Sequence, residues 1–106
     1  MLERTVWRQY NDDNSFREQI AQHCVLDPID LIEDDKELYA ALKAKLTKKE
    51  MKLFAMDSAA RDDAEIRREL ELDDAALKQA KFKLYKKLKQ DKTRLAFREH
   101  SKNSDV

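Results

Sequence analysis

Leu38, Ala41, Leu42 and Leu46 recur at the spacing that places apolar side chains on one face of a helix. Asp34 and Asp35 precede them and Lys43 and Lys45 stand near their end, the charge order that a helix dipole favours. Thr47 follows as a candidate N-cap, and Glu50 completes an S/T-x-x-E capping box that opens a second helix. Glu65-Ile66 and Leu70-Leu72 predict a short helix closed by a tight turn, after which Asp73 or Asp74 can cap a helix running to about Lys89. Projected at about 100° per residue, this last helix gathers Leu77, Ala80, Leu84 and Leu88 on one face, with Tyr85 at its edge. That face is expected to pack on Leu53, Phe54, Ile66 and Leu70. The other side collects Lys78, Gln79, Phe82, Lys83, Lys86 and Lys89.

Upstream, Val6, Trp7 and Tyr10 form an apolar-aromatic cluster, and Asn11 to Asn14 read as a turn. Ser15 with Glu18 predicts another capping box, opening a helix through about His23 with Phe16 and Ile20 on one side. Asp27 is placed to cap a short helical turn begun by Pro28. The expected fold is all-α: a small helical domain with a helix-turn-helix. Its organisation reads as an acidic N-terminal helical segment (1–34), a helix-turn-helix domain (35–100) and a disordered tail (101–106).

Composition narrows the picture. The 106 residues include no Gly and one Pro, so left-handed turns and phosphate-cradling Gly loops are not expected. P-loop and dinucleotide-binding folds are thereby set aside. The lone Cys24 has no partner for an internal disulfide. With no long apolar run, this points to a cytoplasmic protein with no membrane span. His23-Cys24 has no metal-ligand spacing and reads as a packed Cys beside a surface His. No cofactor, metal or catalytic residue is expected, because the paired carboxylates Asp62-Asp63 and Asp73-Asp74 fall in loops or caps with no base placed beside a nucleophile.

The formal net charge of zero hides a segregation. The first 40 residues carry four basic and ten acidic side chains, whereas residues 81–106 carry nine basic and three acidic. A polyanion-binding end and an acidic end would produce this pattern, and so would an acidic arm that neutralises the basic helix within one molecule. A lysine face interleaved with an aromatic suits DNA, since neutralised phosphates release counterions. On this reading Lys78, Lys83, Lys86, Lys87 and Lys89 hold phosphates, Gln79 reaches a base edge, Arg67 and Arg68 add backbone contacts, and Phe82 lies within the face. So few base readers would call for dimerisation to define a useful site.

The same residues resemble a known family. Leu46-Thr47-Lys48-Lys49-Glu50-Met51-Lys52-Leu53-Phe54 is similar to the opening of the promoter-reading C-terminal domain of bacterial sigma factors. Glu65-Ile66 and Leu70 fall where that family's first motif helix carries its Glu, apolar residue and Leu. Lys78 to Leu88 is similar to its recognition helix, and the likeness covers about Asp35 to Gln90. It implies a DNA-binding transcription regulator. Two departures stand out. Asp73-Asp74-Ala75-Ala76 replaces the family's Thr-Arg-Glu-Arg type run, and Glu71 stands at the Gly position of the turn, which strains it or changes its geometry. A degenerate reader of this kind equally fits a protein-interaction module that uses the helix-turn-helix to bind RNA polymerase or another transcription protein.

Overall fold

Seven α-helices and no strand are present among residues 4–98, the residues described by this computed structural model. The fold is all-α, as expected; the tail assigned to 101–106 lies outside the described residues. In chain order the helices are α1 (Val6–Tyr10), α2 (Phe16–Cys24), α3 (Asp35–Lys45), α4 (Lys48–Ser58), α5 (Asp63–Leu70), α6 (Asp74–Lys89) and α7 (Asp91–Arg94). Tighter turns span Pro28–Asp30 and Leu95–Phe97, and an isolated antiparallel bridge ties Leu31 to Arg98. No helix among the described residues is long and apolar enough to cross a membrane.

Local signals start most of these helices. The capping box of α4 is complete: Thr47 Oγ1 accepts from the Glu50 backbone N–H at 3.1 Å, and Glu50 returns a carboxylate oxygen to the Thr47 N–H at 2.8 Å. Asp27 and Asp73 cap as expected, and Asp34 also caps α3, its side chain accepting the Lys36 N–H. The box expected at Ser15 and Glu18 does not form. The Ser15 side chain makes no capping bond, and its backbone N–H is drawn instead to the Asp13 carboxylate at 3.1 Å, an Asx turn that leads the chain into α2.

A single hydrophobic cluster runs from Trp7 to Phe97 and draws on both the first 34 residues and the rest. Trp7 is fully buried, its ring 5.9 Å from Phe16 and 5.3 Å from Phe54. Its indole N–H donates to the Asp13 carbonyl at 2.8 Å. The Asn11 side chain bonds the carbonyls of Trp7 and Ala55, sewing the end of α1 to α4.

The absence of Gly does not exclude left-handed turns. Val25, Ala60 and Glu71 have φ of 55, 59 and 58°, and end α2, follow α4 and end α5. In each case the next backbone N–H closes on a carbonyl five residues back: Leu26 on Ala21 (2.9 Å), Arg61 on Met56 (3.0 Å) and Leu72 on Arg67 (2.8 Å). A left-handed residue other than Gly costs about 1–2 kcal/mol. The residue that follows each turn offsets this. Leu26 and Leu72 pack against the core, and the Arg61 guanidinium lies 5.6 Å from the centre of the Tyr10 ring. Tertiary packing thus enforces a backbone that local preference resists. Replacing Glu71 with Gly removes the strain from an exposed position. Glu71→Gly is expected to raise stability by about 1 kcal/mol, read as a higher urea midpoint with an unchanged slope.

Candidate nucleic-acid interface

A three-residue turn, Glu71 to Asp73, joins α5 to α6. The two acidic residues at the tip of α6 are committed within the molecule. Asp73 Oδ1 accepts the Ala76 N–H at 2.7 Å, and Asp74 Oδ1 accepts from Arg67 Nη1 at 2.7 Å. Leu77, Leu84 and Leu88 are buried, and Ala80 and Tyr85 are partly buried against the same core, as the projection requires. Lys78, Gln79, Phe82, Lys83, Lys86 and Lys89 are all exposed.

The lysines of α6 divide into two groups. Lys87 turns inward to Glu50 at 2.9 Å, and Lys81 reaches Asp63 at 2.9 Å and Asp57 at 3.3 Å. Burial pushes the Lys81 ammonium down, but the two carboxylates outweigh it and hold it above the usual lysine value. Glu50 behaves in the complementary way: burial raises its carboxyl, while the Thr47 backbone N–H and Lys87 bring it below the usual carboxylate range. Lys78, Lys83, Lys86 and Lys89 have no ion pair with any described residue, and no carboxylate occurs between positions 75 and 90. The structure therefore brings most of the sequence-predicted face together. It withdraws Lys87 and ties Arg67 to Asp74, while Arg68 remains exposed on α5. Phe82 is 64% exposed in the middle of the face, with Lys86 Nζ 5.8 Å from its ring centre.

Behind the face, the Tyr85 hydroxyl bonds Asp57 Oδ2, and burial together with that carboxylate raises the phenol above its ordinary value. His23 stacks on Tyr85 with ring centres 4.4 Å apart. Burial lowers the imidazole below its usual value; Asp57 opposes this and Lys89 adds to it. Cys24 beside it is fully buried, which pushes its thiol up to about 12 and keeps it protonated.

A second basic cluster escaped sequence reasoning. Arg4, Lys43, Lys48 and Lys49 rim a cleft of 740 Å³ between the start of α4 and the end of α5, beside Glu71 and the Lys52–Glu69 pair. The signal was Lys48-Lys49 at the start of α4, close in sequence to Lys43 near the end of α3, a nearness that acquires meaning only once the two helices are placed. Among the described residues, no carboxylate of the first 40 positions forms an ion pair with a lysine of α6. Among the described residues, the ion pair made by a carboxylate of the first 40 positions is Arg17–Asp35, at 2.8 Å. Compared with family models, characterised proteins and solved structures, the chain gives no match.

The lowered imidazole has a consequence for stability. An unfolded chain takes up the proton near the ordinary histidine value of 6.5, before folded His23 does. Its contribution is therefore full above 6.5 and is lost as pH falls from there through the folded-state value. Between about pH 7.5 and 5, the unfolding free energy of the native chain is expected to fall more steeply than that of His23→Gln. Parallel curves would show that the imidazole titrates freely in the folded protein.

Proposed function

We propose that this chain is a small DNA-binding protein of transcription regulation, with α6 docking on duplex DNA through Lys78, Lys83, Lys86 and Lys89. One observation carries this reading: four exposed lysines on a single helix face, with no ion pair to a described residue and no carboxylate within the stretch. A helix held by its apolar side on a packed core, after a short turn, is the form in which a helix-turn-helix offers its second helix to a groove. The resemblance to the sigma-factor promoter-reading domain supports the same reading. Ala75 and Ala76 bring no hydrogen-bonding group to base edges, and Arg67 is engaged with Asp74. Gln79 is left as the amide that could read an adenine edge. Affinity then comes chiefly from phosphates, and sequence preference is slight.

Exposed Phe82 favours a second reading, in which the same face docks on an acidic protein surface such as one on RNA polymerase. An apolar ring inside a charged face gives a protein partner an anchor that phosphate contacts do not need. The two readings separate in a salt titration of binding to a mixed-sequence duplex. The full chain must be used, because truncating residues 1–34 would take Trp7, Phe16, Ile20 and Leu31 out of the core. On the DNA reading, binding falls steeply as salt rises, and Lys83→Ala and Lys86→Ala each reduce the slope of log K against log salt by about 1. Absence of any salt-dependent binding at low ionic strength removes the DNA reading and leaves the protein partner.

A further inference from the structure

The chain's formal charge sums to zero, yet its two charged surfaces are not joined within one molecule. The segment from Val25 to Glu37 carries Asp27, Asp30, Glu33, Asp34, Asp35 and Glu37 against a single Lys36. Asp35 is paired with Arg17, whereas Asp30, Glu33 and Glu37 are exposed with no ion pair to a described residue. Val25 and Ile29 stand out from this acidic segment, 72% and 81% exposed. Val25 is held out by its left-handed backbone and by Arg94, which donates to the carbonyls of Cys24 (2.8 Å) and Val25 (3.2 Å). Ile29 is held out by the Asp27-capped turn. The α6 face has the reciprocal composition, four unpaired lysines around exposed Phe82.

We infer that the α6 face of one copy docks on the acidic 25–37 segment of a second copy, with Phe82 set against Val25 and Ile29 and the lysines against Asp30, Glu33 and Glu37. Three observations select a second copy as the occupant. The surfaces are opposite in charge, each carries exposed apolar side chains for the other to cover, and a molecule of zero formal charge meets no net repulsion from its own kind. Lysine and carboxylate rims around a small apolar centre give a weak contact that is steered by charge and screened by salt. The contact is independent of the DNA reading, although it occupies the same face, so a duplex would compete with it.

The test measures the mass of the full chain in solution by light scattering, without DNA, at low and high salt. Two exposed-surface variants accompany it: Lys86→Glu with Lys89→Glu, and Asp30→Lys with Glu33→Lys. The native chain is expected to exceed the monomer mass at low salt and return to it at high salt. Each variant alone is expected to associate about tenfold or more weakly. An equimolar mixture of the two should regain association, because the reversed segment of one faces the reversed helix of the other. Regain in the mixture also shows that both variants are folded. A native chain that stays monomeric at low salt, or association that neither reversal weakens, overturns the inference. Because no DNA is present, neither result decides whether the α6 face binds a duplex, which the salt titration tests separately.

Discussion

The fold depends on one residue more than any other, the buried Trp7. Its ring lies against Phe16 of α2 and Phe54 of α4, its backbone N–H donates to the Tyr39 hydroxyl of α3 at 3.3 Å, and its indole N–H is satisfied by the Asp13 carbonyl. Four helices, α1 included, therefore meet at one residue. A Trp of this kind contributes on the order of 3–5 kcal/mol by burial and packing, a large share of the stability of so small a domain. Phe54 and Leu53 on α4 in turn belong to the cluster that receives Leu77, Leu84 and Leu88 of α6. The lysine face is rigid because its helix is seated on a core that the first residues of the chain complete.

Within α6, the core also decides which lysines are available. Lys81 and Lys87 lie toward the flanks of the buried face, where Asp57, Asp63 and Glu50 meet them. Both are partly withdrawn from water, where desolvation offsets much of the attraction, so these pairs orient the lysines more than they stabilise the fold. Lys78, Lys83, Lys86 and Lys89 are exposed on the outward side with Phe82, without an ion pair to a described residue. Six lysines on one helix thus yield a structural pair and an uncompensated stripe.

Much of this was legible in the sequence. The capping box at Thr47 and Glu50, the apolar stripe of α6 and the exposure of Phe82 follow from spacing alone, because they are properties of one helix. The left-handed turns at Val25, Ala60 and Glu71 were not legible, since they oppose local preference and are held by residues packed from elsewhere. Pairings such as Lys87 with Glu50, separated by 37 positions, and Arg67 with Asp74 across the turn depend on helix packing that no local pattern encodes. Ser15 illustrates the reverse case. A good cap by type, it yields to Asp13, whose carboxylate reaches its N–H first.

If both proposals hold, two polyanions compete for one face. The acidic segment offers six carboxylates over residues 25–37, of which Asp35 is already paired and Asp27 and Asp34 also serve as caps. Duplex DNA presents one negative charge per roughly 1.7 Å of its axis and gains free energy from the counterions it releases. Weak, salt-screened pairing between copies cannot hold α6 against that density of charge. On the two proposals taken together, a second copy would be a replaceable cover for Phe82 and the lysines, yielding to a long phosphate lattice. Gln79 adds little sequence selection of its own, so the balance between these two occupants would set where and when the helix engages DNA.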